Sequence, residues 1–241
     1  MSPRGASDVA ARVAALDWDA IGRALDDVGH AVTPPLLRAE ECAGLVRMFD
    51  DDRRFRSTVD MGRHRFGEGK YRYFAEPLPP LVAELRASFF PRLASIANRW
   101  SAALGSDERY PDDLARWLAR CAAKGQERPT PLLLRYVAGG FNCLHQDLYG
   151  ALAFPLQVAI ALSRRAADYD GGEFLLVEQR PRAQSRGEAI VLERGAAIVF
   201  PNRHRPVAGA RGAYRVTVRH GVSRIRRGER LALGIIFHDA E

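Results

Sequence analysis

The apolar positions of this chain fall into two textures that divide near residue 130. In the first, Val13, Leu16, Ile21 and Leu25 recur at near-helical spacing, which predicts an amphipathic helical lead-in over residues 1 to about 30. The segment TPPLL interrupts it, and RAEECAGLVRMFDDDRRF predicts a helix from near Ala39, because Leu45, Val46 and Phe49 recur at helical steps. A loop rich in Gly, Arg and His, MGRHRFGEGKYRYF, ends in an alternating aromatic strand. PLPPLVAELRASFFPRLASIANRWSAALG opens on prolines and continues with a helical period. PDDLARWLARCAAKG predicts a further helix, its acidic first turn suited to the positive end of the helix dipole.

From Thr130 the period shortens. PLLLRYV, LAFPLQVAIALS, GGEFLLVEQ, EAIVLERGAAIVF, YRVTVRHGV and RLALGIIFH are short β-like runs between Gly, Asp, Pro and Arg turns, the pattern of an antiparallel sandwich or barrel. At 241 residues and 47% hydrophobic content, the chain can bury the core of one large β-rich domain. The expectation is therefore a single domain over 1–241, helix-rich over 1–129 with a β core over 130–241. It shows no internal repeat or linker.

Composition narrows the setting. No apolar run approaches the roughly 18 residues that a membrane-spanning helix needs, and the N-terminus carries acids in place of a signal peptide's apolar stretch. A cytoplasmic monomer without membrane contact is expected. Cys42, Cys121 and Cys143 are odd in number and far apart, which excludes a disulfide framework or zinc-finger spacing and predicts reduced, partly buried thiols. Lys and Arg number 36 against 29 acids, a net charge of +7. The excess gathers toward the C-terminus at Arg203, Arg205, Arg211, Arg215, Arg219, Arg224, Arg226, Arg227 and Arg230. Such a surface attracts phosphates, so nucleic acid is a candidate partner. An Arg- and Ala-rich genome would produce the same excess with no partner at all.

The chemistry concentrates in NCLHQDLYG, Asn142 to Gly150. In an extended strand His145 and Asp147 project to the same face, as two ligands of a metal clamp or as no more than a polar turn. The third ligand must come from His30, His64, His204, His220 or His238. His220 is followed ten residues later by Arg230, which from a neighbouring strand could make a bidentate pair with a ligand carboxylate. His204, with Arg215 eleven residues on, is the alternative third ligand.

The set HxD, distant His and Arg ten residues later resembles the iron(II)- and 2-oxoglutarate-dependent dioxygenases. The likeness spans roughly residues 130 to 240. LLRYVAGGFNCLHQD looks like the family's strand, Gly turn and HxD; DYDGGEFLLVE like its acidic turn and GGE strand; RGAAIVF like the strand before the second histidine. Val222, Ile225, Gly228, Arg230 and Leu233 follow His220 in the family's cadence, which favours His220 over His204. The resemblance implies an α+β chain with a mainly β core, a double-stranded β-helix of jelly-roll, cupin-like type with the N-terminal helices packed on it. It implies His145, Asp147 and His220 as Fe(II) ligands and Arg230 on the distal carboxylate of 2-oxoglutarate, with dioxygen as cosubstrate.

Tyr136, nine residues before His145, matches a cosubstrate-assisting Tyr of AlkB-like members, but Leu134 stands where those members carry Asn. Asn142 or Gln157 could supply that polar contact. His204, Arg215, Tyr71 and Arg72 are candidates for the substrate site, the last two in a basic aromatic loop able to stack on a base. The implied activity is hydroxylation of a C–H bond coupled to decarboxylation of 2-oxoglutarate to succinate, releasing formaldehyde where the carbon sits on nitrogen. AlkB-like demethylation of alkylated nucleic acid stands beside prolyl-type protein hydroxylation and small-molecule hydroxylation. Two readings of a different class are a non-catalytic cupin-like binding module and a nucleic-acid-binding scaffold. GGEF also echoes the diguanylate cyclase signature, without the α/β pattern such an enzyme needs.

Overall fold

The computed structural model describes residues 8–210 and 212–241; the first seven residues of the expected lead-in helix, and Arg211, lie outside the described residues. The lead-in is two helices, α1 (Asp8–Ala14) and α2 (Trp18–Asp27). The Asp17 carboxylate accepts from the Ala20 N–H at 2.8 Å and so starts the second helix afresh. After β1 (Ala31–Pro35), α3 (Ala39–Met48) begins where the spacing predicts, with Glu41 accepting from the Arg38 N–H at 2.7 Å. There follow a short 3-10 turn (Asp52–Arg54), β2 (Phe55–Asp60), α4 (Met61–His64), β3 (Gly67–Glu68) and β4 (Lys70–Phe74). Two more helices, α5 (Pro80–Ala103) and α6 (Leu114–Ala122), match their predicted segments. Pro80 sits at the first turn of α5, where a missing N–H costs nothing.

The first half is thus less purely helical than its apolar period suggests. The strands after it are β5 (Leu132–Val137), β6 (Phe141–His145), β7 (Leu156–Ala161), β8 (Tyr169–Gly171), β9 (Phe174–Gln179), β10 (Arg186–Ile190), β11 (Ala196–Pro201), β12 (His204–Gly209), β13 (Gly212–Val222) and β14 (Ile225–Ile235). They form two antiparallel sheets. The larger runs β1-β11-β7-β14-β5-β4-β2, with β8 on the early part of β14; the smaller runs β10-β9-β13-β6-β3, with β12 on the early part of β13. Strands of the N-terminal half therefore complete both sheets. Their period-two signal is too short to stand out between helices.

Side-chain alternation in the large sheet assigns each residue a layer. Leu133, Val158, Val199, Leu231, Leu233 and Ile235 join Phe89, Phe90, Leu93 and Trp100 of α5 in one core beneath the helices. The opposite face looks between the sheets, where Ile198 and Phe200 meet Phe174, Leu176, Val216 and Val218. Burial on both faces explains why these strands read as continuous apolar runs. No helix among the described residues is long and apolar enough to cross a membrane.

One corner joins the sheets. β13 belongs to the small sheet and β14 to the large one, and only Ser223 and Arg224 separate them. The Ser223 N–H donates to the Glu173 carbonyl at 2.9 Å, and the Ser223 hydroxyl accepts from the Glu173 N–H at 2.9 Å. Gly171 and Gly172 have φ of +78° and +63°; a Cβ on the first would lie 2.3 Å from the Arg224 carbonyl oxygen, and on the second 2.3 Å from Ile225 Cδ1. The GGE element is thus the seat of this corner, and its likeness to a cyclase signature is chance.

The helices are tied to the small sheet by a buried ion pair. Arg205 of β12 is fully buried; its Nε donates to Glu178 Oε2 at 2.7 Å and its Nη1 to the Asp26 carbonyl, at the end of α2, at 2.8 Å. Removing one partner of such a pair strands the other in a desolvated site, so Arg205→Ala is expected to cost about 3 kcal/mol. Urea denaturation measures this; a loss below about 0.5 kcal/mol, the scale of a neutral surface change, would show that the pair does not tie the layers together.

Candidate metal centre and cosubstrate cavity

Between the two sheets lies a cavity of about 380 Å³. At one wall, antiparallel pairing of β13 with β6 sets His220 directly opposite His145, and the two rings stand 4.2 Å apart, centroid to centroid. Asp147 faces both: Oδ2 lies 3.2 Å from His220 Nε2, and Oδ1 lies 3.6 Å from His145 Nε2. One ligand atom from each residue falls within 4.8 Å of the others, the only such group of three found among the described residues. These three could bind iron. The expected strand geometry needs one amendment, because β6 ends at His145 and Asp147 lies past it. Its backbone is instead clasped by Asn202, whose Oδ1 accepts from the Asp147 N–H at 2.9 Å and whose Nδ2 donates to the Asp147 carbonyl at 2.5 Å.

The protonation states suit a metal. Burial works against the charged form of Asp147, but the hydrogen bond and charge of His220, the charge of His145 and the Tyr149 hydroxyl outweigh it and hold the carboxyl below its usual range. Burial, then the neighbouring His145, pushes His220 down toward neutral imidazole against the pull of Asp147. His145 Nδ1 lies 2.8 Å from the Cys143 carbonyl, which assigns the proton to Nδ1 and leaves Nε2 as a lone-pair donor toward the cluster.

The large sheet forms the far wall. Across β14 and β5, Arg230 is paired in register with Tyr136, and its guanidinium sits 5.8 Å above that ring. Arg230 is 4% exposed, its Nε makes no hydrogen bond, and it forms no ion pair among the described residues. A buried cation without a counter-ion is costly unless an anion joins it. Gln157 Nε2, on the same wall, is likewise buried and unpartnered. Tyr136 is fully buried, and burial keeps its hydroxyl protonated at any ordinary pH, while Asn142 Nδ2 donates to that oxygen at 3.2 Å. Two glycines make room here: a Cβ on Gly172 would lie 2.9 Å from Arg230 Cδ, and one on Gly69 would lie 2.8 Å from Tyr136 Cδ1. The unpaired Arg230 and Gln157 fit an anionic, carbonyl-bearing cosubstrate such as 2-oxoglutarate, and two imidazoles with one carboxylate fit Fe(II).

Other expectations separate. Tyr71 lines the cavity, as does Tyr73, two residues on along β4. Arg72 does not: strand alternation turns it to the opposite face, where it donates to the Phe49 carbonyl at 2.5 Å and to Asp52 at 2.6 Å and lies over the Phe55 ring at 4.3 Å. His204 is also outside the cavity; it opens β12, pairs in register with Thr217, and takes no part in the metal group. Arg215 is exposed further along the same β12–β13 ribbon. Of the cysteines, Cys42 and Cys121 are buried as expected, but Cys143 is exposed at the cavity edge. Asn202, Tyr149 and Tyr73 went unread in the sequence; their only signal was proximity to motif residues, as in D-x-Y and VFPN.

Comparison with known proteins agrees with this geometry. Residues 69–240 match the model of a family described as an oxygenase "catalysing oxidative methylation of damaged DNA". Two uncharacterized proteins of Mycobacterium tuberculosis strains are 54% identical over 167 residues, 69% of this chain and 72% of theirs. Among solved structures, a prolyl-4-hydroxylase from Pseudomonas putida superposes with TM-score 0.55 at 14% identity, covering 93% of this chain and 99% of that one. An oxidoreductase of the 2OG-Fe(II) oxygenase family from Burkholderia pseudomallei does so with TM-score 0.55 at 18% identity, covering 92% of each. At these identities the solved structures show the fold, a double-stranded β-helix.

Because Arg72 and His204 lie outside the cavity, their loss should spare it. Arg72→Met is expected to lower stability by about 2 kcal/mol, the scale of lost hydrogen bonds to a charged group. Both Arg72→Met and His204→Ala should leave Co(II) affinity of the apo-protein within about twofold of wild type, as for uncoupled sites. Calorimetric titration checks this, and a collapse of affinity in His204→Ala would restore His204 as a ligand.

Proposed function

Because the chain belongs to the oxygenase family whose model spans residues 69–240, a set of Fe(II)- and 2-oxoglutarate-dependent dioxygenases by fold and metal group, we propose that it oxidatively demethylates alkylated nucleic acid. In this reading His145, Asp147 and His220 hold Fe(II), Arg230 takes the distal carboxylate of 2-oxoglutarate, and Tyr136 with Asn142 assists. The observation that carries the cosubstrate assignment is Arg230, buried beside the cavity with no acid paired to it among the described residues. When bound, iron and 2-oxoglutarate supply decarboxylation of the cosubstrate by dioxygen, coupled to hydroxylation of a substrate C–H bond.

The chain's own residues bind, orient and keep water out. Arg230 fixes one end of the cosubstrate through a charge-assisted pair. Phe174, Phe200, Leu134 and Ile236 line the cavity with apolar surface, which strengthens the polar contacts made inside it. Tyr71 and Tyr73 form an aromatic wall, edge to face with centroids 5.4 Å apart. At the rim, exposed Phe66 stacks on His64 at 5.4 Å, with Arg63 and Arg65 beside them. An aromatic face flanked by cations supports a nucleobase and phosphate substrate, in line with the family description. A carbon hydroxylated on nitrogen collapses to formaldehyde and the repaired base.

The test is succinate formation from 2-oxoglutarate with Fe(II), challenged with methylated single- and double-stranded DNA beside peptide pools. Methylated DNA should stimulate turnover and release formaldehyde, whereas stimulation by peptides alone would move the assignment to protein hydroxylation. His220→Ala should abolish turnover; if it retained full iron-dependent activity, the ligand set would be wrong. Arg230→Ala should raise the KM for 2-oxoglutarate by roughly tenfold or more, from about 1.5–3 kcal/mol for a charged hydrogen bond.

A further inference from the structure

His145 and His220 are held by strand pairing, but Asp147 is not. It lies in the irregular segment after β6, where no ladder hydrogen bond fixes its backbone. Three contacts replace the ladder. Asn202, 2% exposed in the turn between β11 and β12, accepts from the Asp147 N–H and donates to its carbonyl, so both backbone polar groups are matched by one amide. Gln146 Nε2 donates to the Val218 carbonyl at 2.8 Å and stitches the same segment to β13, two residues before His220. The Tyr149 hydroxyl donates to Asp147 Oδ1 at 2.6 Å.

Tyr149 is itself immobilised. Its ring stands edge-on to Tyr73 at 6.1 Å and tilted against His238 at 5.9 Å. The His238 ring is anchored in turn, its Nδ1 accepting from the Phe154 N–H at 3.2 Å. The hydroxyl therefore occupies one carboxylate oxygen from a fixed direction and leaves Oδ2, 3.2 Å from His220 Nε2, as the oxygen turned to the metal group.

On the reading that this carboxylate is a metal ligand, we propose that Tyr149 and Asn202 are positioning residues that make Asp147 a pre-set, one-oxygen ligand: Asn202 sets where the backbone stands, and Tyr149 sets which oxygen is turned to the metal group. Neither touches the reacting atoms. Their role is to hold the carboxylate in place before metal arrives, since groups that orient a ligand typically govern about 10–100-fold in metal affinity.

The experiment is Co(II) titration of the full-length apo-protein, followed by calorimetry and by the visible Co(II) absorption band, for wild type, Tyr149→Phe and Asn202→Ala. Tyr149→Phe keeps the ring packing and deletes only the hydroxyl. The expected result is a fall in affinity of about tenfold or more for each variant, with the apo-protein's melting temperature within about 2 °C of wild type for Tyr149→Phe. The Co(II) band should also weaken in Tyr149→Phe, because a carboxylate free to offer both oxygens raises the coordination number. Asn202→Asp, which keeps the acceptor for the Asp147 N–H and loses the donor, should fall between wild type and Asn202→Ala. Affinity and band unchanged in Tyr149→Phe and Asn202→Ala, with wild type binding normally, would overturn the positioning role alone. Affinity lost in both only in step with apo-protein melting would also overturn it. Wild type that fails to bind Co(II) would remove the metal-site reading and this inference together.

Discussion

The two walls of the cavity depend on a single corner. Ser223 and Arg224 carry the chain from the small sheet to the large one, and the reciprocal hydrogen bonds between Ser223 and Glu173 hold that crossing at fixed register. Everything downstream follows from two antiparallel pairings. With the corner fixed, His220 meets His145 on one sheet and Arg230 meets Tyr136 on the other. A ten-residue separation along the chain becomes a separation across a cavity. The paired glycines at Gly171 and Gly172 exist for this crossing, since a side chain at either would collide with Arg224 or Ile225.

The layers explain which side chains face the cavity. The large sheet is covered by α5 and its companions on one face and by the small sheet on the other, so its central strands are apolar on both sides. Polar side chains that nevertheless face the inner layer, Arg230 and Gln157 above all, are then conspicuous. They sit where burial would be unfavourable without a ligand, which is how a fold reveals the chemistry of what it binds. Arg205 shows the contrasting case: equally buried, but matched by Glu178 and the end of α2, it is consumed by architecture.

Similar residue types thus divide by partner and by face. Tyr71 and Tyr73 reach the cavity while Arg72 between them is spent on Phe49 and Asp52, because a strand cannot turn three consecutive side chains to one side. His204 lies only two residues beyond Asn202, yet β12 turns away with the ribbon and leaves it opposite Thr217. Asn202 itself reaches Asp147.

Much of this was legible in the amino-acid order alone. Local periodicity located α3, α5, α6 and the long strands of the second half, because those signals span whole turns or several alternations. The HxD pair, His220 and Arg230 are readable because their mutual spacing and flanking cadence resemble a known family, which points to the dioxygenase class from the sequence alone. Tertiary structure decided the rest. That β1, β2 and β4 complete the large sheet, that Asn202 and Tyr149 hold a carboxylate lying outside its strand, and that Arg72 faces away depend on tertiary contacts, between residues 55 apart where Asn202 meets Asp147 and between Ala31 and Val199 where β1 meets β11. Such contacts leave no periodic trace, since they arise only when the corner and the sheet registers bring separate segments together.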